Sequence, residues 1–314
     1  MGWKGEKAPA IISRTMKEAD NVKKRERDTY DAIAEAYDKV HARYNAFFAS
    51  DMIDMLFPQK YDAGLDVAGG SGTAGLKLAE RIGPEGSVTI IDISPEMLRL
   101  AEKNAASRKL NNVRTHVMDA EQLEFPDNSF DIVTCSFGVM SFPNVSRAVV
   151  EMKRVLKPGG RIGIAVWSLP ERFPLYSEPM TAFLKHAAPL PIRMLLKTPV
   201  IRWRVLRKVL VSKSPFGYSP ARFCENGSLE KYLHEAGLQS VRRVCCAYPL
   251  EFDNFDEYWK TMMEANAGGT SKKSIPWHIF DAVREELRGR LVNPRTGAVR
   301  LFNEAAIILA RKPS

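Results

Sequence analysis

The sequence is poor in the features that mark secreted, membrane-spanning or metal-dependent proteins. No apolar run approaches the roughly 20 residues of a transmembrane helix. The opening MGWKGEKAPA carries charge without the apolar stretch of a secretory signal, so none is expected. Only four cysteines occur, Cys135, Cys224, Cys245 and Cys246, with no Cys-x-x-Cys pair. Adjacent cysteines rarely bridge each other, so reduced thiols in a cytoplasmic protein are expected. There is no dense His/Cys/Asp cluster, and a structural metal is not expected. Internal repeats and low-complexity tracts are absent. What remains is an ordinary globular composition, 45% hydrophobic and 26% charged, over 314 residues, enough for one large or two modest domains. The net charge of +9 is unevenly spread and concentrates in the second half.

The most informative stretch is residues 64–92, GLDVAGGSGTAGLKLAERIGPEGSVTIID. Leu65, Asp66, Val67 and Ala68 read as a buried strand, Gly69 to Gly72 as a tight turn, and residues 73–82 as a helix stopped by Gly83-Pro84. Residues 87–91 form a second strand ending at Asp92. Glycines suit a turn that a ligand must approach closely, and the helix start beyond it offers unpaired N–H groups. This is the pattern of a nucleotide-type cofactor site.

Residues 1–27 are polar and mixed in charge and read as a solvated, partly disordered arm. Residues 28–56 have helical periodicity, with Tyr30, Ile33, Tyr37, Val40 and Tyr44 on one face. Such a stripe suits a core face, and its place before the cofactor motif suits a lid equally. Beyond the first βαβ unit, Ser94-Pro95 starts a helix, residues 113–118 form a third strand ending at Asp119, and residues 131–136 a fourth. A helix over 146–156 stops at Lys157-Pro158-Gly159-Gly160 before a fifth strand, 161–167. This alternation predicts a parallel sheet covered on both faces, with ligand at the carboxyl ends of the strands. Past Trp167 the pattern breaks. Residues 168–220 hold eight prolines and a basic amphipathic helix over 200–211, with Arg204, Arg207 and Lys208 on one face. A helix over 228–236, a sixth strand over 241–248, helices over 255–264 and 275–290 around a loop at 267–271, and an apolar last strand over 298–310 complete the chain. Four regions follow: arm and lid helix (1–60), cofactor core (61–168), basic helical lid (169–227), and completion of the sheet (228–314) with a helical insert at 250–297.

The glycine spacing Gly70-x-Gly72-x-x-Gly75 also satisfies a dinucleotide fingerprint, so an NAD-type dehydrogenase fits the turn taken alone. Three acids separate the readings. Asp66 lies inside the first strand, where a dehydrogenase has apolar residues. Asp92 ends the second strand, where a carboxylate can accept from both ribose hydroxyls. Asp119 ends the third, within reach of an adenine amino group.

The ordered set LDVAGGSGTAG, IDISPEML, VMDAEQLEFPDNSFDIV, FGVMSFPN and EMKRVLKPGGRIGIAVW, from Asp66 to Trp167, resembles the class I S-adenosylmethionine-dependent methyltransferases, close to the ubiquinone/menaquinone-biosynthesis C-methyltransferase branch. LEKYLHEAGLQSV at 229–241 is a weaker match. The resemblance implies an α/β, Rossmann-like seven-stranded mostly parallel sheet with helices on both faces, an antiparallel last strand and helical lid insertions. It implies S-adenosylmethionine as cofactor, with Asp66, Ala68, Gly69, Gly70 and Gly72 along the methionine portion and Asp92 on the ribose. Ile93 and Met97 flank the adenine, and Asp119 and Ala120 meet its edge. Ser136 and Phe137 lie beneath the methionine, and Tyr37 closes over its amino-acid end. One position departs from the family pattern: Ala68 stands where glycine is usual.

A sulfonium methyl is already activated, so transfer depends on alignment more than on a catalytic group. If the acceptor must lose a proton, His41 and His186 are the candidate bases; a lone histidine is otherwise a structural residue. No Asn-Pro-Pro-Tyr motif follows the fourth strand, which argues against methylation of DNA bases or protein glutamine. The SFGVMSFPN loop there suits a small, apolar acceptor such as a quinol, phenol or isoprenoid-like compound. The basic 200–211 helix is a lid with one solvated face, a holder for an anionic acceptor, or a peripheral membrane contact. Nucleic acid is not an expected partner, because no aromatics interleave the charges. A non-catalytic methyltransferase-fold binding protein is the alternative of a different class.

Overall fold

The strands follow from the apolar runs, and their order places the site. The computed structural model describes the backbone of residues 7–187, 198, 221–265 and 276–314, with side chains from residue 18 except at 264 and 265. Strands β1 (Ala63–Val67), β2 (Ser87–Asp92), β3 (Val113–Val117), β4 (Phe130–Ser136), β5 (Leu156–Trp167), β6 (Gln239–Phe252) and β7 (Val299–Arg311) form one sheet in the order β3-β2-β1-β4-β5-β7-β6. β1 to β5 run parallel, and β7 is antiparallel to both of its neighbours. The inner strands β1 and β4 are buried along nearly their whole length, as a sheet covered on both faces requires.

Helices α2 (Thr73–Ile82), α3 (Pro95–Ser107) and α4 (Val145–Val155) are the crossovers. α2 buries Leu76, Leu78 and Ile82 and stops at Gly83, whose φ of 83° lies in the left-handed region. α3 starts as its sequence requires: Pro95 occupies the first turn, and the Ser94 hydroxyl accepts from Met97 N at 3.2 Å. The later helices are α5 (Pro174–Ala187), α6 (Glu230–Glu235), α7 (Phe255–Ala265) and α8 (Trp277–Leu291). Tyr258, Met262, Val283 and Leu287 join the main core, so helices α7 and α8 of the 250–297 insert pack into the sheet's own hydrophobic layer.

Three expectations are corrected. Residues 7–27 are not a disordered arm: α1 runs unbroken over Lys7–Leu56. No glycine or proline lies between Ala10 and Phe57, and the charged residues there are good helix formers. The Lys157-Pro158-Gly159-Gly160 segment is not a break before β5 but a bulge within it. Leu156 pairs with Phe130 and Arg161 with Ile132, so four residues face Asp131 alone. Gly159, at φ 73°, makes the excursion possible. β6 extends beyond 241–248 because the long β7 pairs with it as far as Phe252↔Val299; Pro249 is tolerated because β6 is an edge strand. The basic helix expected at 200–211 and the loop at 267–271 lie outside the described residues. Among the described residues, no helix is long and apolar enough to cross a membrane.

Candidate active site

Strand order reverses between β1 and β4, and an α/β sheet opens a crevice at such a point. A cleft of about 760 Å³, its open mouth included, lies there. One wall is the sheet: Ala68 and Gly70 after β1, Asp92 and Ile93 after β2, Met118 to Glu121 after β3, and Ser136 to Gly138 after β4. The other wall is α1, which contributes Lys23, Glu26, Tyr30 and Tyr37.

The sheet wall is fixed by backbone. Parallel register sets Asp66 beside Thr134 of β4, whose hydroxyl donates to Asp66 Oδ1 at 2.7 Å, while Gly75 N donates to Oδ2 at 2.7 Å. Burial pushes the Asp66 carboxyl up to about 7, against these two hydrogen bonds that favour the charged form. Asp66 is fully buried beneath the turn and does not line the cleft; it ties β1 to α2. The glycines divide by task. A Cβ on Gly69 would stand 2.6 Å from Ile90 Cγ2 and 2.7 Å from Asp66 Oδ2, and one on Gly75 2.7 Å from Ile90 Cγ1, so these glycines admit the protein's own packing. A Cβ on Gly70, at φ 56°, meets no atom within 4 Å and would project from the cleft wall. Gly70 alone in this turn keeps room for a ligand; Gly69 and Gly72 do not line the cleft.

Asp92 Oδ2 accepts from Gly70 N and Oδ1 from Ser94 N, each at 2.9 Å. Burial raises its pKa, against the backbone donors that favour the anion. Both oxygens keep a further lone pair for hydroxyl donors. Ser136 Oγ is buried in the wall with no hydrogen-bond partner, and Ala68 (φ 51°) and Phe137 (φ 62°) are held in left-handed backbone conformations. The usual preference for glycine at Ala68 thereby has a physical reason. Phe137 begins a stack that leaves the cleft: Phe137–Trp167 centroids are 4.1 Å apart and Trp167–Phe173 4.0 Å, both nearly parallel.

The helix wall is held by side chains. Lys23 Nζ lies 2.7 Å from Asp119 Oδ2 and 2.6 Å from Glu121 Oε2. Asp31 accepts from the Ser94 hydroxyl at 2.5 Å, so α1 places an acid at the start of α3. Ala34, Met97 and Leu100 bury a small apolar contact between the two helices, with Tyr30 and Tyr37 against it. Glu26 is 6% exposed, and burial pushes its carboxyl up to about 7 despite a hydrogen bond from Ser141 and the charge of Arg25. A cleft carboxyl that titrates there exchanges its proton near neutral pH. Burial and the Asp92 charge push the Tyr37 phenol up to about 12.

Of the residues expected to hold cofactor, Tyr37, Ala68, Gly70, Asp92, Ile93, Met97, Asp119, Ala120, Ser136 and Phe137 line this cleft together. The two candidate histidines do not. His41 is buried behind Tyr37, stacked on its ring at 4.4 Å, with Nδ1 against the Tyr44 hydroxyl. His186 sits on α5 with Nε2 2.8 Å from Glu286 of α8. Asp119 already accepts from Lys23 on Oδ2 and from the Glu121 N–H on Oδ1 and, like Asp92, keeps a further lone pair on each oxygen. Sequence reasoning missed Lys23, Glu26 and Glu121; Tyr30 it placed on the lid stripe and residues 141–143 in the SFGVMSFPN acceptor loop, without assigning either to the cofactor. The heptad-like spacing of Lys23, Tyr30 and Tyr37 was the available signal, continuing the aromatic stripe into the charged arm.

Comparison with known proteins decides what this cleft belongs to. The model of the ubiE/COQ5 methyltransferase family matches residues 16–246. The chain belongs to that family. It is an S-adenosylmethionine-dependent methyltransferase, and the dinucleotide reading of the glycine spacing falls away. Similar curated proteins include the demethylmenaquinone methyltransferases of Listeria monocytogenes serotype 4a, 32% identical over 164 residues (51% of this chain, 69% of that one), and of Geobacillus kaustophilus, 36% over 148 residues (46% and 63%). Among solved structures, the YcgJ protein of Bacillus subtilis superposes with a TM-score of 0.56 at 20% identity, covering 87% of this chain and 99% of that one. Haemonchus contortus phosphoethanolamine N-methyltransferase 2, in complex with S-adenosyl-L-methionine, gives 0.51 at 17% identity, covering 92% and 60%. These two share the fold. The methyltransferase cleft fits its cofactor on its own terms: an open Cβ position at Gly70, spare lone pairs on Asp92, and an unpartnered Ser136 hydroxyl.

Proposed function

We propose that this methyltransferase methylates a quinol or a closely related phenol, in the cytoplasm. When bound, S-adenosylmethionine supplies an electrophilic methyl group on a positively charged sulfur. The protein's part is to orient and to exclude water. Asp92 and the Gly70 turn hold the ribose side, Ile93 and Met97 enclose the base, and Ser136 offers a hydroxyl to the polar methionine portion. Correct alignment of the two reactants is worth about 7–11 kcal/mol of barrier. α1 roofs the cleft, so Tyr30 and Tyr37 keep water from the reacting centre.

The observation that carries the acceptor reading is the apolar and aromatic lining of the cleft beside the β4 end, where Phe137, Phe142 and Pro143 stand with Tyr30 and Tyr37. A planar, weakly polar ring is the complement of that surface. The names of the curated relatives, demethylmenaquinone methyltransferases, support the same class. The free thiols of Cys135, Cys224, Cys245 and Cys246 suit a reducing compartment.

The test is a radiolabelled methyl-transfer screen over quinols, phenols, prenyl compounds and amines, with mass spectrometry of the products. Turnover of quinols or phenols with a mass gain of one methyl is expected. Turnover of amines alone would sink the acceptor reading. Cofactor binding without turnover of any acceptor would favour a methyltransferase-fold binding protein.

A further inference from the structure

The glycine turn has a second face. Gly70 looks into the cofactor cleft, while the next residue, Ser71, lines a separate open cleft on the helical side. That second cleft is walled by Asp38, Ala42, Arg43 and Ala46 of α1, Thr73 and Lys77 of α2, and Asn104 and Arg108 at the end of α3. Three cations from three helices converge there. Lys77 and Arg108 share Glu80, at 3.9 and 3.1 Å, whereas Arg43 makes no ion pair among the described residues. Besides Glu80, a second acid, Asp38, lines the cleft, and it accepts from Asn104 Nδ2 at 3.2 Å.

Two further observations point to a ligand. α2 begins at Gly72 with no cap from that residue; Asp66 takes its third amide, Gly75 N, while Thr73 at the first helical position lines this cleft. Ser71 is only 3% exposed, and its hydroxyl, buried in the wall of this cleft, has no hydrogen-bond partner. A buried hydroxyl without a partner is uncommon in a folded protein. Cations on three helices, the first position of α2 and an unused hydroxyl together form the donor set of a small oxyanion.

We propose that this cleft binds a small phosphate-type anion, inorganic phosphate or a compact phosphate monoester, on the side of the turn opposite the cofactor. Arg43 and Lys77 supply charge, Ser71 and the first amides of α2 supply donors, and Asp38 limits the affinity. Ser71 sits between Gly70, whose amide holds Asp92, and Gly72, which starts α2. An anion behind the turn therefore stiffens the element that shapes the cofactor cleft, and any coupling is reciprocal.

The test is calorimetric titration of inorganic phosphate into the full chain at low salt, with and without saturating S-adenosylhomocysteine. Saturable binding that persists with S-adenosylhomocysteine is expected. Arg43→Gln should weaken it roughly tenfold, as loss of a charge-assisted hydrogen bond does. Asp38→Asn, which keeps an acceptor for Asn104 and removes the opposing charge, should tighten it severalfold. Arg43 is exposed and makes no ion pair among the described residues, so its variant should fold, and its unfolding temperature checks that. Absence of saturable binding, wild-type affinity in Arg43→Gln, or displacement of phosphate by S-adenosylhomocysteine would each overturn the proposal. The last result would place the anion in the cofactor cleft. A failed methyl-transfer screen would leave this test unaffected.

Discussion

The two walls of the cofactor cleft are built by opposite means. On the sheet side, position is set by backbone: parallel register brings Thr134 to Asp66, and amides of Gly70 and Ser94 fix Asp92. On the α1 side, position is set by side chains reaching across to the strand ends, Lys23 to Asp119 and Glu121, and Asp31 to Ser94. A wall held by backbone resists displacement, and a wall held by a few side-chain contacts can release. The difference assigns recognition to the sheet and access to the helix.

The sharpest way to break this comparison is to substitute adjacent glycines. Gly69→Ala drives a methyl into Ile90 and Asp66 and should cost about 3 kcal/mol of stability, the upper range for overpacking. Gly70→Ala should cost only about 1 kcal/mol, for its left-handed backbone. It should, however, weaken S-adenosylhomocysteine binding far more than its small loss of stability suggests. Denaturant unfolding paired with calorimetry separates the two effects.

On the helix wall, Glu26 makes stability depend on pH. Its folded pKa, about 7, lies above its ordinary value of 4.5, so the folded state holds its proton more tightly than the unfolded chain does. Stability is then greatest below pH 4.5, falls as pH rises to 7, and is level above. Glu26→Gln should match the wild type below pH 4.5 and exceed it at pH 8 by at most about 3 kcal/mol, at ~1.4 kcal/mol per unit. Melting curves across this range test it. Asp66 and Asp92, raised in the same direction, contribute to the slope that remains in the variant.

Smaller effects sharpen the contrast further. Lys23→Met leaves Asp119 and Glu121 facing each other without their cation. It should cost about 1–2 kcal/mol and speed dissociation of S-adenosylhomocysteine, measured by stopped-flow, more than it slows association. Ala68→Gly relieves a left-handed alanine and should stabilise by up to about 1 kcal/mol in denaturant unfolding. His186→Gln, far from the cleft residues and paired with Glu286, should leave methyl transfer unchanged under saturating substrate.

The same contrast explains what the amino-acid sequence disclosed. The sheet wall was readable because its chemistry lies in short local spacings: an acid inside one strand, glycines after it, and an acid at the end of the next two strands. The helix wall was not. Lys23 and Glu26 meet their partners across about a hundred residues of sequence, and within a charged stretch they look like solvated surface. His41 and His186 stand out as candidate bases because a histidine advertises chemistry at any position, yet one is packed against tyrosines and the other hydrogen-bonded to Glu286. The Lys157–Gly160 run has the composition of a terminator, and only the pairing of Leu156 with Phe130 makes it a bulge.

Calorimetric titration of S-adenosylhomocysteine into the wild type and Asp92→Ala is the most direct test of the cleft. Saturable binding by the wild type is expected, weakened roughly a hundredfold in the variant, as loss of charge-assisted bonds to two hydroxyls implies. Equal affinity in the two proteins, or no binding by the wild type, would contradict the assignment of this cleft to the cofactor.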